Sequence, residues 1–435
     1  MLDIKTIREN PEKVKDACKK KSVKVDIDKL LTLDEQRREK IQEIEKIRAE
    51  KNKATREIGK SGKKDKIIKE MQKIDKKADK IEKELKEIEK NFQELMYKVP
   101  NLLMDDVPVG KDETENKVIR KWGEPTKFDF KPKDHVELGE KLGIIDIKTA
   151  SKVTGARFSY LKGEAAQIEF ALVQYVLSVL TSEEKIKEIA ETVKKGYSSK
   201  PFIPVVPPVM IRPDVYERMA RLSEEDKDER YYLKKDDLYL IGSAEHTLGP
   251  LHIDQILEEK ELPKRYIGFS TSFRREAGSY GKDTRGILRV HQFDKLEMES
   301  FTTKENSLLE QDFFVAIQEY LVRSLEIPYQ VVMICTGDIG GPDARQIDIE
   351  CWIPGQDKYR ETHTSDLMTD YQARRLKTRV KRPNNEIEFV HMNDATAFAI
   401  GRILIAIIEN YQQKDGSVKI PKVLQPYLGF KEIKR

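Results

Sequence analysis

Apolar residues between positions 71 and 99 recur at alternating spacings of three and four. Met71, Ile74, Ala78, Ile81, Leu85, Ile88, Phe92, Leu95 and Val99 hold these places, and Lys and Glu fill most of the rest. The spacing is a heptad seam kept for about four repeats, and it predicts a long helix with one apolar edge. A looser stripe of Leu30, Leu33, Ile41, Ile44, Ile47, Ala54 and Ile58 precedes it. From about Asp26 to Val99 there is no proline, and glycine occurs only at Gly59 and Gly62, in the break I-G-K-S-G-K-K-D. Two helices joined by such a polar turn predict an antiparallel hairpin over about 27–99. At 1.5 Å per residue, some 33 residues make an arm of roughly 50 Å. Pro100 ends the second helix.

Beyond the arm the pattern becomes mixed, which predicts an α+β protein with an N-terminal domain over 1–110 and a second domain over 111–435. Lys111 to Lys133 reads as a polar connector. Gln167 to Leu180 is an apolar helix, and F-I-P-V-V-P-P-V-M-I from Phe202 is a proline-studded strand. Leu238 to Ile241 predicts a strand running into Ser243, Ala244 and Glu245.

Charged residues make up 36% of the chain while the formal net charge is only +4, so attraction for nucleic acid must come from local basic patches. The arm's tip is one, with Lys60, Lys63 and Lys64, and Lys51, Lys53 and Arg56 nearby. Such side chains on a rigid rod make phosphate contacts without reading bases. A heptad seam by itself serves a dimerising or spacing coiled coil equally well. Three scattered cysteines without C-x-x-C spacing imply neither a disulfide framework nor structural zinc, and they suit a reducing cytoplasm. No run approaches eighteen apolar residues, so no membrane span is expected. Neither a P-loop nor a G-x-G-x-x-G motif is present. The six histidines form no triad or H-E-x-x-H pattern.

The densest chemistry lies in F-R-R-E-A-G-S-Y-G-K-D-T-R-G-I-L-R-V-H-Q-F-D-K-L-E-M-E, from Phe273 to Glu299. Arginines grip phosphate bidentately and a carboxylate holds an ammonium group, so the stretch suits a ligand carrying both. It resembles motif 2 of the class II aminoacyl-tRNA synthetases, in wording closest to the seryl-tRNA synthetases, and the resemblance runs from Met1 to about Tyr427. Pro207-Pro208 resembles motif 1, and H-M-N-D-A-T-A-F-A-I-G-R, ending at Arg402, resembles motif 3.

The resemblance implies a catalytic domain built on a mixed, mainly antiparallel sheet flanked by helices, and a homodimer. It implies a cytoplasmic ligase that activates L-serine with ATP and Mg²⁺ and charges tRNA(Ser), gripping the tRNA with the N-terminal arm. On that pattern Arg274 bridges the substrate carboxylate and the α-phosphate, and Arg402 lies against the γ-phosphate or adenine. Arg275, Glu276, Val290 and Phe293 hold the nucleotide, with Thr362, His363 and Thr364 beside them, and Glu361 takes Mg²⁺. Ser243, Ala244, Glu245, Glu297, Thr364, Asp394 and Thr396, with Arg274, surround serine. Arg274, Glu297 and Arg402 are the expected catalytic set.

Three segments depart from the family's wording. H-M-N-D-A-T replaces H-T-L-N-G-S, which puts Asp394 at an asparagine position and Ala395 at a glycine position. H-T-S-D-L-M, carrying Asp366 to Met368, replaces S-S-C-S-N-C, and H-T-L-G-P replaces V-P-L-T-N. All three touch the amino-acid pocket, so a ligase of altered selectivity is one alternative and a non-catalytic tRNA-binding relative another.

Overall fold

A computed structural model describes the chain at residues 1–58, 64–223, 226–277 and 285–435, with side chains left aside at 54–58, 64–70 and 226. It divides into two compact units, Met1–Leu102 and Leu103–Arg435.

The first unit contains α1 (Ile4–Glu9), α2 (Pro11–Lys20), α3 (Ile27–Ile58) and α4 (Lys64–Lys98). Ile44 and Ile47 pack with Ile81, flanked by Ile74, Ala78 and Leu85, so the heptad positions form the seam between the long helices. Ion pairs cross that seam at Arg37–Glu89, Lys40–Glu84, Arg48–Glu82 and Lys51–Asp75. The α4 partner number falls as the α3 number rises, which fixes the pair as antiparallel.

The second unit centres on an eight-stranded sheet. Its strands are β1 (Lys117–Trp122), β2 (Ile203–Val205), β3 (Lys264–Phe273), β4 (Gln292–Thr302), β5 (Tyr329–Met333), β6 (Arg345–Ile353), β7 (Lys358–Thr369) and β8 (His391–Ala399). Their order is β1-β5-β6-β7-β8-β4-β3-β2, and every neighbouring pair is antiparallel except β2–β3. Helices α5 (Glu164–Leu180), α6 (Glu183–Val193), α7 (Ser307–Ser324) and α8 (Ile400–Asn410) flank it and close its core.

Two boundaries differ from the sequence expectation. Residues after Leu102 belong to the second unit, where the Met104 N–H donates to the Ala344 carbonyl and the Thr336 N–H to that of Pro108. The stretch 111–133 contains β1, an edge strand whose side chains are almost all exposed and whose pairing with β5 is interrupted by a register shift. A strand with no buried face leaves no period-two pattern to read.

Candidate active site

Strand alternation places Phe293, Lys295, Glu297 and Glu299 of β4 on one face of the sheet. On β8, Asp394 and Thr396 stand opposite Glu299 and Glu297, and a register shift then brings Ala399 opposite Lys295. A second shift on β7, beside Ile349, turns Glu361, Thr362 and Thr364 toward the same side. Each bulge inserts an extra residue and re-aims a side chain. From α7 the fully buried Gln318 donates to the carbonyls of Thr364 and Thr396, both at 2.8 Å, and so anchors the two irregular strands.

These residues wall a cavity of about 900 Å³, counted to its open mouth. Of the expected nucleotide residues, Arg274, Glu276, Val290, Phe293, Glu361 and Arg402 line it, as do Thr362 and Thr364. Glu245, Glu297, Asp394 and Thr396 line its other end. Arg274 donates to the Gly242 carbonyl at 3.1 Å, and its guanidinium lies 5.3 Å from the Phe293 ring centre. Arg402 donates to the Glu361 carboxylate at 2.6 Å. Burial pushes the Glu361 carboxyl up, but Arg402 and then Arg274 more than offset it, leaving the group below its ordinary range. Burial, with Arg230 and Arg402 close by, holds Arg274 below the usual arginine range. This part of the cavity thus gathers Arg274, Arg289 and Arg402, the last two paired with Glu276 and Glu361.

Four expected residues stand behind or beside the wall. Ser243 donates to Glu297 and accepts from Lys295, both at 3.2 Å, which positions them from below. Ala244 is fully buried in the core under β3. Arg275 turns outward over the Tyr231 ring, 5.6 Å from its centre. His363 points to the other side of the bulge, against Phe398 and 2.7 Å from the Thr362 hydroxyl. On the arm, Lys53 is exposed and Lys51 pairs with Asp75 at 2.6 Å. Lys60 and Lys63 lie outside the described residues, as do the side chains of Arg56 and Lys64.

The cavity also contains residues that the sequence reading left without a role. Arg221 follows the short helix Pro213–Arg218 and reaches Glu245, Asp343, Asp366 and Asp394 at 3.2–3.5 Å. Lys295 pairs with Glu297. His135 and Glu409 form a bracket behind the nucleotide wall. Glu409 accepts the His135 backbone N–H at 2.9 Å and its Nδ1–H at 2.8 Å, and the Gly355 N–H at 2.8 Å. The Ile287 N–H points at His135 Nε2, 3.3 Å away. A backbone N–H can only donate, so Nε2 accepts and the proton sits on Nδ1. Gly286, at φ +84°, passes so close that a Cβ would collide with the His135 ring. Ile287 itself lines the cavity.

Residues 229–411 match the model of the tRNA synthetase class II core domain (G, H, P, S and T), and residues 1–103 that of the seryl-tRNA synthetase N-terminal domain. The chain is 43% identical over 439 residues to the serine–tRNA ligase of Dictyoglomus thermophilum, covering 100% of this chain and 99% of the relative. Among solved structures it resembles the seryl-tRNA synthetase from Pyrococcus horikoshii complexed with ATP, at 40% identity and a TM-score of 0.88, covering 100% and 99% of the two chains. It also resembles the cytoplasmic serine–tRNA ligase from Naegleria fowleri in complex with AMP, at 32% identity, a TM-score of 0.85 and the same coverage.

Proposed function

Because the chain belongs to the class II seryl-tRNA synthetase family, we propose that it activates L-serine with ATP and transfers the seryl group to the 3′ end of tRNA(Ser). The observation that supports this best is the convergence of Arg274 and Arg402 at one end of a cavity whose other end presents Glu245 and Glu297. A carboxylate oxygen of serine attacks the α-phosphorus, the bond to the bridging oxygen breaks, and pyrophosphate leaves. The nucleophile is already ionised at neutral pH, so no general base is required. Holding two anions together and stabilising charge on the phosphoryl group is the whole task. Arg274 serves both anions, and Arg402 serves the phosphate tail. Glu297 and Glu245 take the ammonium group and the side-chain hydroxyl.

Mg²⁺ carried with ATP would neutralise phosphate charge, and Glu361 would hold it. The donor set fits. The neighbouring Asp348 carboxyl, pushed well above its ordinary range by burial and then by Glu361, sets a second buried acid beside the one that Arg402 pairs with.

The arm, through Lys51, Lys53 and the basic residues toward its tip, takes the tRNA, and one subunit's arm serves the other subunit's site. Exposed Phe170 on α5 and Ile203 and Val206 along the β2 segment supply apolar surface for the homodimer. Three buried, unpaired cysteines suit a cytoplasmic setting. Among the described residues no single helix is long and apolar enough to cross a membrane.

The test is ATP–pyrophosphate exchange with serine, threonine, alanine and glycine, followed by charging of tRNA(Ser). Serine should support exchange, and Arg274→Ala should lower it by about 10²–10³-fold with an unchanged unfolding midpoint. Absence of serine-dependent exchange would refute the reading.

A further inference from the structure

The amino-acid end of the cavity carries more negative charge than serine can answer. Glu299 on β4, Asp394 on β8 and Asp366 on β7 stand in one row across three neighbouring strands. Glu245, Glu297 and Asp394 each bring one carboxylate oxygen within 4.8 Å of the others. Asp343 joins them through Arg221. All six acidic residues are buried. Arg221 and Lys295 are cations in contact with them.

Two observations point from this imbalance toward a ligand. Asp366 lines the cavity and its buried Oδ1 has no hydrogen-bond partner, and both carboxyl oxygens of the fully buried Glu299 lack one too. Burial, and then the neighbouring acids, push the carboxyls of Asp394 and Glu299 well above their ordinary range, with Arg221 opposing. Buried acids crowded in this way keep protons until a further cation arrives. Serine offers one cation, the α-ammonium group, and Glu245 and Glu297 receive it together with the side-chain hydroxyl. Its hydroxyl is neutral.

We propose that this pocket also accepts a short amino acid bearing a second amine, of the 2,3-diaminopropionate type, with the side-chain ammonium held by the row of Asp366, Asp394 and Glu299. The proposal rests on the reading of the cavity as an amino-acid-activating site. The chemistry is unchanged: the α-carboxylate oxygen bonds to the α-phosphorus and pyrophosphate departs, leaving the side-chain amine untouched. The amine matches the serine hydroxyl in size, so charge rather than volume distinguishes the two. Asp366 and Asp394 also replace neutral residues of the synthetase pattern.

The experiment is pyrophosphate exchange by the full-length protein with 2,3-diaminopropionate, serine and alanine. The diamino acid should exceed alanine at least tenfold in kcat/KM. Asp366→Asn should lower the ratio of diamino acid to serine at least tenfold, and Glu299→Gln repeats the test if the first variant does not fold. Exchange with serine, but with the diamino acid no faster than alanine, overturns the proposal and leaves the serine reading standing. An unchanged ratio in both variants overturns it as well. No exchange with any amino acid overturns both readings.

Discussion

Replacing Glu409 with alanine should weaken the catalytic unit and its nucleotide wall together. The carboxylate is fully buried and accepts three protein N–H groups, two from His135 and one from Gly355. A buried donor stripped of its acceptor costs about 1–3 kcal/mol. Three such donors, partly relieved by water entering the space left by the side chain, put the loss at about 3–5 kcal/mol. Glu409→Gln keeps one acceptor oxygen but turns an NH₂ toward a donor, so it should fall between the variant and the parent. The effect reaches the cavity because His135, once released, no longer fixes the Ile287 N–H, and KM for ATP should rise at least threefold. Denaturant unfolding followed by tryptophan fluorescence isolates the relevant unit, since Trp122 and Trp352 both lie in it. A loss under about 1 kcal/mol with an unchanged KM would refute the bracket.

Arg265 and Glu310 are a fully buried pair joined by two hydrogen bonds of 2.7 and 2.9 Å, so Arg265→Met should destabilise by about 3–5 kcal/mol and Arg265→Met/Glu310→Leu by much less, as measured by urea unfolding. Burial pushes His246 down to about pH 4 despite Glu245. The folded state therefore keeps it neutral, and its contribution is full above about pH 6.5 and lost as pH falls toward 4. That is up to about 3 kcal/mol, and His246→Gln should flatten this part of a stability–pH curve. Lys53→Ala should weaken tRNA(Ser) binding uniformly and reduce the salt dependence of log Kd by about one unit of slope, and an unaltered slope would remove Lys53 from the contact surface.

The parts of the site that sequence reading reaches are those with a local signature. The heptad seam and the alternating face of β4 are periodic, and the order of motifs around Arg274, Glu361 and Arg402 is linear. Lys295 and Glu299 share the register of Glu297, so the same period-two argument finds them once the strand is placed. Arg221 has no such signal. It follows a short helix in an irregular stretch, and its importance comes from four acids more than twenty residues away in sequence. The bulges escape detection for a related reason: one extra residue on β7 decides whether Thr362 or His363 faces the cavity, and only the pairing with β6 shows it. His135 is one of six histidines in no local pattern, and its partners are 274 and 152 residues away.

The two ends of the cavity hang from different supports. Ile287 and the nucleotide wall are braced from behind by Glu409 and His135, whereas the acids of the amino-acid end sit farther along β4, β7 and β8 and lean on Arg221. An engineer can therefore treat the pocket as an exchangeable head on a fixed activation module. Libraries confined to Asp366, Asp394 and Glu299, with Arg221 kept, should yield folded variants that still bind ATP, and the amino acid they load can be screened without rebuilding the motor that loads it.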